Sequence, residues 1–284
     1  MKNFPSRVLN KVKGKWLGLK NKVRKMLAEK QIFLVYSMGK VGTTSVFSYI
    51  KRNHPDIPLH HVHFLSDNWV KKKLPSLDAE FHGNITVANE VYASLEKHKD
   101  RRVKIVTMVR EPMVREISDI FQNWKGLLNV NSINDVSVKE LSKYLDNHDH
   151  EYVLNWFDTE FREYLDFDIY AHPFDKQKGY SIYKTKRADI LCVSTEKLSS
   201  CIEEAMKKFA GMNINASRSS NTSENKEGKE LYRELVQHYK APKEKLDLLY
   251  NSKYVRHFYD DNEIAGFIKK WSRQENDNQQ KNNL

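Results

Sequence analysis

A small-residue loop with one lysine lies between a short apolar run and a helical run near the start of the chain. It reads Ser37-Met38-Gly39-Lys40-Val41-Gly42-Thr43-Thr44-Ser45. Its glycines let the backbone approach a ligand closely, and the first N–H groups of the following helix have no partner within that helix. These groups lie at the positive end of the helix dipole, and Lys40 and the hydroxyls add further donors. The pattern predicts a cradle for phosphate or sulfate.

This loop differs from the phosphate loop of nucleotide triphosphatases. There the lysine follows the last glycine and precedes a magnesium-binding Ser or Thr, whereas Lys40 precedes the last glycine and lies three positions before Thr43. Neither of the apolar runs 103–109 and 188–194 ends in an aspartate that would bind magnesium. The apparatus of magnesium-dependent phosphoryl transfer is therefore not evident, and a kinase-like phosphotransferase is kept as an alternative function.

A second basic motif, Arg110-Glu111-Pro112-Met113-Val114-Arg115-Glu116-Ile117-Ser118, follows an apolar run. Arg110 comes at the carboxyl end of the predicted strand, where open α/β sheets bind ligands. Ser118 on the following helix could fold back beside Arg110, and an arginine with a hydroxyl suits a terminal phosphate. A surface arginine paired with Glu111 or Glu116 is the simpler alternative.

Histidines follow at the next predicted strand, in the run His60-His61-Val62-His63. His61 and His63 would point to the same side of a strand, and both titrate near neutrality, as a general base should. A structural or metal-binding histidine pair is the alternative. A third ligand for zinc is not apparent nearby, so we expect no metal. Glu90, after the apolar run 85–88, is a competing base.

The segments between these motifs indicate how the chain could hold them together. Apolar, β-branched runs predict five strands, at 31–36, 59–64, 85–88, 103–109 and 188–194. Helical spacing predicts helices at about 90–98, 114–125, 137–146, 150–164, 197–210, 226–240, 242–251 and 260–271. Strands alternating with helices indicate an α/β fold with a mostly parallel sheet covered on both faces, followed by a helical C-terminal part.

The net charge is concentrated at the N-terminus. The 284 residues include 48 Lys and Arg against 37 Asp and Glu, a formal net charge of +11. Residues 1–30 hold ten basic residues and one acidic residue, so they carry +9 and the remainder carries +2. Their apolar residues recur every three or four positions, which predicts a basic amphipathic helix. Such a helix could bind an anionic membrane surface, pack on the domain or bind a partner helix.

Composition excludes several classes of protein. The 39% hydrophobic and 11% aromatic content excludes a wholly disordered chain, and the lack of a long apolar run excludes a polytopic membrane protein. Two cysteines cannot form a disulfide scaffold. Lysines interrupt residues 1–30 too often for a signal peptide, so we expect a cytoplasmic protein, either free or peripheral at the inner face of the membrane. Residues 31–271 are expected to form one domain, followed by a disordered tail at 272–284.

The order of the two motifs, each between a strand and a helix, resembles the sulfotransferase superfamily. The resemblance implies a P-loop NTPase-like three-layer α/β/α sandwich that binds 3′-phosphoadenylyl sulfate (PAPS) without a metal. The first loop would grip the 5′-phosphosulfate, with Lys40 facing the sulfuryl group, and Arg110 and Ser118 would bind the 3′-phosphate. The remaining nucleotide-binding residues implied are Val41, Gly42, Thr43, Thr44 and Ser45. Some relatives that sulfate polysaccharides use a strand-end histidine as base, and His61 is at the nearest position.

Longer stretches look like one bacterial branch, the capsular polysaccharide synthesis proteins with a sulfotransferase-like domain. These stretches are NWFDTEF, DIYAHPFDKQKGYSIY, ADILCVSTEKL, NKEGKELYRELVQHYKAP and LLYNSKYVRHFYDDNEIAGFIKKW. They extend the resemblance over about 31–271. It implies a PAPS-dependent sulfotransferase acting on a hydroxyl of a carbohydrate or lipid-linked glycan in surface polysaccharide synthesis, with no nucleic-acid partner. A non-enzymatic protein that binds anionic surfaces is a further alternative.

Overall fold

The computed structural model describes residues 15, 16, 18, 19, 22, 30–77, 81–128, 130–214 and 228–273. The basic helix predicted over 1–30 and the tail predicted over 272–284 therefore lie largely outside the described residues. Within the described ranges, no helix combines the length and the apolar composition needed to cross a lipid bilayer.

One five-stranded sheet organises the described part of the chain. Its strands are β1 (Gln31–Tyr36), β2 (Leu59–Val62), β3 (Arg102–Val109), β4 (Tyr180–Lys184) and β5 (Ala188–Ser194). They lie in the order β2-β1-β3-β5-β4. Strands β2, β1, β3 and β5 are parallel to one another, and β4 pairs antiparallel with β5 at the edge of the sheet. Every residue of β5 is buried, including Asp189, whose carboxylate pairs with Arg102 and Lys104 of β3. The predicted α/β class with a mostly parallel sheet is confirmed.

Helices connect the strands and form the region after β5. They are α1 (Thr43–Asn53), α2 (Gly83–Lys97), α3 (Pro112–Leu128), α4 (Val138–Asn147), α5 (Glu151–Trp156), α6 (Arg162–Leu165), α7 (Leu198–Ala210), α8 (Lys229–His238), α9 (Lys243–Tyr250), α10 (Lys253–Phe258) and α11 (Asp261–Trp271). A π-helical turn, Phe157–Phe161, joins α5 to α6, and another lies at Asn68–Lys73. Capping boxes start α4 and α11. The helical C-terminal part is confirmed.

The strand predicted at 85–88 is wrong, because these residues belong to α2. The β-branched residues suggested a strand, but Ile85, Ala88, Val91 and Leu95 have helical spacing and pack into the core. The strand predicted at 59–64 ends at Val62. Two short elements, β4 and α10, were not predicted.

The order of the strands determines where the loops after β1 and β3 lie. From β1 the chain passes to β2 on one side and then to β3 on the other side of β1. The loops after β1 and β3 therefore flank a topological switch point, where open α/β sheets bind ligands. The end of β1 is anchored by Tyr36, whose ring packs against Trp156 and Phe161 at 5.4 and 5.3 Å between centroids. Its hydroxyl donates to the buried carboxylate of Glu160.

Candidate functional site

The loop between β1 and α1 has an unusual backbone. Lys40 and Gly42 both adopt the left-handed conformation, with φ of +69° and +85°. A Cβ on Gly42 would make only ordinary contact, 3.4 Å from Cγ2 of Thr195, so the positive φ rather than the available space favours glycine here. Among the described residues, no side chain caps the start of α1, and its first turn holds no acidic residue. The N–H of Ser45 donates to the Gly42 carbonyl at 3.4 Å, whereas the N–H groups of Thr43 and Thr44 make no hydrogen bond within the described residues and can bind an anion.

Arg110 joins the two predicted anion-binding motifs. One of its guanidinium nitrogens, Nη1, donates to the carbonyl oxygen of Lys40 at 2.9 Å and to Oγ of Ser118 at 3.0 Å. Ser118 in turn donates to the carbonyl of Val114. The backbone of Arg110 is held by the hydroxyl of Tyr254, which accepts from its N–H and donates to its carbonyl, both at 2.9 Å. The structure thus brings Arg110, Ser118 and the first loop together.

Arg115 and Tyr152 clamp the first loop at Gly39. Nε of Arg115 donates to the carbonyl of Gly39 at 3.1 Å, and the N–H of Gly39 donates to the Tyr152 hydroxyl at 3.2 Å. The guanidinium carbon lies 4.7 Å from the centre of the Tyr152 ring. Arg115 is 4% exposed, so these contacts belong to the rigid interior. They hold the loop at Gly39 through both its N–H and its carbonyl group.

Lys40 lies beside an acidic side chain of α3. Its ammonium nitrogen is 3.9 Å from Oδ1 of Asp119. Asp119 also pairs with Nη1 of Arg115 at 3.2 Å and accepts from Asn123 at 2.8 Å. Asp119 is thus shared among three donors. An incoming anion would therefore compete with Asp119 for the lysine.

The two predicted histidines lie side by side, with ring centroids 5.0 Å apart. Nε2 of His61 is 2.9 Å from Oγ1 of Thr43, and burial, with His63 next to it, lowers the pKa of His61 to about 4. Nδ1 of His63 lies 2.6 Å from the carbonyl oxygen of Ser37, so this nitrogen carries the proton and Nε2 carries the lone pair. Burial also lowers the pKa of His63, and Lys40 acts in the same direction. Both rings are neutral at pH 7.

The proposed competing base Glu90 does not join this group. It is exposed and lies on α2 rather than at a strand end. It acts electrostatically on His60, which points to the opposite face of β2 from His61 because successive strand residues alternate. The mistaken strand at 85–88 had placed it at the carboxyl edge of the sheet.

The remaining loop residues divide into a buried set and an accessible set. Val41 and Thr43 are buried, and the Thr43 hydroxyl faces His61. Gly42 and Thr44 are exposed, and Lys40 and Ser45 are half-buried. An anion would therefore approach along the edge formed by Lys40, Gly42, Thr44 and Ser45. Val41 and Thr43 can contribute through their backbone N–H groups.

Several supporting residues were not identified from the sequence. Arg115 lies in the second motif and Asp119 directly follows it. Their place in the sequence could therefore have indicated that they contribute to the site. Tyr152, Thr195 and Tyr254 reach the loops from distant parts of the chain; Thr195, for example, donates to the carbonyl of Val41. Only the tertiary structure brings these three residues to the site.

Comparison with known proteins gives one match. A family model described as putative capsular polysaccharide synthesis protein matches residues 128–260, which is under half of the chain. The matched segment contains Tyr152, Thr195 and Tyr254, which contact the two predicted anion-binding motifs, but it does not contain those motifs. No curated protein and no solved structure matches the chain.

Proposed function

We propose that this chain is a sulfotransferase that moves a sulfuryl group from PAPS to a hydroxyl of a carbohydrate or glycan. The observation that carries the proposal is the position of Arg110, which contacts the carbonyl of Lys40 and the hydroxyl of Ser118 at once. Two anion-binding motifs that share one arginine suit a nucleotide with phosphate groups at both its 3′ and its 5′ position. We also propose that the chain adopts the P-loop-like three-layer sandwich of the sulfotransferase superfamily.

The position of the two motifs in the sheet supports this proposal. They follow β1 and β3, neighbouring parallel strands that flank the switch point. A nucleotide in this crevice would place its 5′-phosphosulfate at the start of α1 and its 3′-phosphate beside Arg110. The uncapped first turn of α1 offers N–H donors to the 5′ end.

The proposed reaction is an in-line displacement at sulfur. The acceptor oxygen forms a bond to sulfur while its proton passes to a base, and the bond between sulfur and the bridging oxygen breaks. The products are the sulfate ester, the protonated base and adenosine 3′,5′-bisphosphate. Negative charge grows on the bridging oxygen, so the ammonium group of Lys40 would leave Asp119 and stabilise this oxygen.

His63 is the better candidate for the base. Its Nδ1 is committed to the Ser37 carbonyl, so Nε2 presents a lone pair to a substrate hydroxyl. Nε2 of His61 already contacts Thr43, so we assign His61 to holding the start of α1. Lys40 is among the charged groups that lower the pKa of His63, which supports a location on the reacting side of the loop.

The class of acceptor is proposed from the family match and from the N-terminal charge. The description of the matching family points to surface polysaccharide synthesis. The net charge of +9 in residues 1–30 suits an anionic membrane, where lipid-linked glycans are assembled. The proposed acceptor is therefore a carbohydrate or lipid-linked glycan hydroxyl at the membrane surface.

The test is transfer of label from radiolabelled PAPS to a panel of capsular and surface glycans, in the presence of a chelator. We expect label in a glycan fraction with the wild-type protein and a loss of about 10²- to 10³-fold in Lys40→Ala, as for removal of a transition-state donor. Lys51→Ala, an exposed lysine on α1, is the matched control and should keep full transfer. Absence of transfer together with magnesium-dependent phosphorylation of the same glycans would favour the kinase-like alternative.

A further inference from the structure

Three potential metal ligands meet beside the loop clamp, away from the two histidines considered above. Glu116 lies on α3 directly after Arg115, and His148 and His150 lie in the connection between α4 and α5. Oε2 of Glu116 is 3.2 Å from Nε2 of His148, and Oε1 is 3.7 Å from Nδ1 of His150. All three ligand atoms lie within 4.8 Å of one another. Glu116 is 2% exposed and His150 is fully buried.

Two atoms of this cluster lack hydrogen bonds. Within the described part of the chain, neither Oε1 of Glu116 nor Nδ1 of His150 has a hydrogen-bond partner, although both are buried. Their separation of 3.7 Å is too long for a hydrogen bond between them. Buried polar atoms without a partner are uncommon in native proteins, and a bound ion is one of the recognised explanations.

The backbone also positions the two imidazoles for a common ligand. His150 adopts the left-handed conformation with φ of +59°, which residues with a side chain rarely adopt. This turn lets two histidines separated by one residue face the same carboxylate. Strained conformations of this kind are found where a functional arrangement requires them.

We propose that Glu116, His148 and His150 bind one first-row divalent transition-metal ion, with Zn²⁺ as the expected ion. Two imidazoles and a carboxylate are a common ligand set for zinc, whereas Mg²⁺ and Ca²⁺ prefer oxygen ligands. Bonds of about 2.0–2.2 Å to a tetrahedral ion place ligand atoms roughly 3.4 Å apart. The separation of 3.7 Å between Oε1 of Glu116 and Nδ1 of His150 is close to this value, and the third ligand atom, on His148, lies within 4.8 Å of both.

Lys245 is the competitor of the metal. Its ammonium group lies 3.0 Å from Nε2 of His150 and donates to the backbone carbonyl of His148. A metal on Nδ1 of His150 requires the ring proton to be on Nε2, so Lys245 must give up this contact and keep only the carbonyl. Arg115 binds Oε2 of Glu116 at 3.1 Å and leaves Oε1 for the ion. Removing the lysine should therefore strengthen metal binding.

The ion would connect the family-matched segment to the clamp on the first loop. His148 and His150 belong to that segment, and Glu116 adjoins Arg115, which holds Gly39. The expected contribution is structural: the metal fixes Glu116 and, through it, the position of Arg115. Glu116, His148 and His150 are not among the residues proposed to contact PAPS, so metal binding can be measured without any assay of sulfuryl transfer.

The experiment is a titration of the chelator-treated, full-length protein with Co²⁺, followed by visible absorption, with Zn²⁺ competition. We expect a 1:1 complex with the absorption bands of low-symmetry Co²⁺, displaced by Zn²⁺. Glu116→Gln, His148→Ala and His150→Ala should each weaken binding at least about tenfold. Lys245→Met should strengthen it. His82→Ala, an exposed histidine on the chain, is the control and should leave the titration unchanged.

Circular dichroism and thermal melting establish that each variant is folded, and Glu116→Gln preserves the size of the side chain if His150→Ala does not fold. The proposal is overturned if Co²⁺ and Zn²⁺ bind no more tightly to the wild-type protein than to folded Glu116→Gln. It is also overturned if metal affinity is unchanged in Lys245→Met.

Discussion

Replacing Arg110 with alanine tests the assignment of the 3′-phosphate site. Nη1 of Arg110 contacts the Lys40 carbonyl and Ser118, and within the described residues the other guanidinium nitrogens make no hydrogen bond, so they can donate to a phosphate. A charge-assisted hydrogen bond contributes about 1.5–3 kcal/mol. At 1.4 kcal/mol per factor of ten, Arg110→Ala should weaken adenosine 3′,5′-bisphosphate about 10- to 150-fold.

The same substitution also removes the contact of Arg110 with the first loop. A titration with one ligand therefore cannot separate loss of the phosphate contact from a change in the loop. Calorimetric titrations with adenosine 3′,5′-bisphosphate and with adenosine 5′-phosphate separate the two effects. The 5′-phosphate measures any change in the loop, and the difference between the ligands isolates the 3′-phosphate. Arg162→Ala, an exposed arginine, is the matched control. Equal weakening of both ligands in Arg110→Ala would refute the assignment and leave Arg110 as a support of the loop alone.

Three further predictions concern the histidines and the N-terminus. His63→Asn keeps a donor for the Ser37 carbonyl but removes the base, so turnover should fall about 10²- to 10⁴-fold in kinetic assays with little change in donor affinity; an equal loss of affinity would contradict this role. His61 has a folded pKa of about 4, below the unfolded value of 6.5, so the unfolded chain gains a proton first as the pH falls. Between pH 7 and pH 5 the wild-type protein should therefore lose about 1–2 kcal/mol more stability than His61→Gln in urea unfolding; identical pH profiles would contradict the burial argument. Deleting residues 1–30 should abolish sedimentation with anionic vesicles and leave nucleotide binding intact; retained vesicle binding would place the membrane contact elsewhere.

Much of the sheet could be predicted because its strands carry unambiguous local patterns. The runs that became β1, β3 and β5 are mostly apolar, and β3 and β5 interrupt their apolar residues with few charges, which is the pattern of a strand buried on both faces. Residues 85–88 carry the same residue types, yet their wider spacing matches a helix, and tertiary packing follows that spacing. The edge strand β4 was missed because it has only five residues, of which two are buried. Short, half-exposed strands carry a weak pattern.

The candidate site was predictable where function depends on adjacent residues. Arg110 directly follows the strand before the helix that carries Ser118, so the motif alone suggested that Ser118 could lie back beside Arg110. Tyr152 and Tyr254 could not be found in this way, because their hydroxyls act on backbone groups of the loops from more than 100 positions away. The distinction between His61 and His63 also required the structure, since only their hydrogen-bond partners separate the two roles.

The central claim is that the crevice between β1 and β3 binds the PAPS nucleotide without a metal. The most direct test is calorimetric titration of the wild-type protein with adenosine 3′,5′-bisphosphate and with ATP, each with magnesium and with a chelator. The account predicts 1:1 binding of the bisphosphate that does not depend on magnesium and is tighter than binding of ATP. No binding of the bisphosphate at millimolar concentration, or magnesium-dependent preference for ATP, would contradict it.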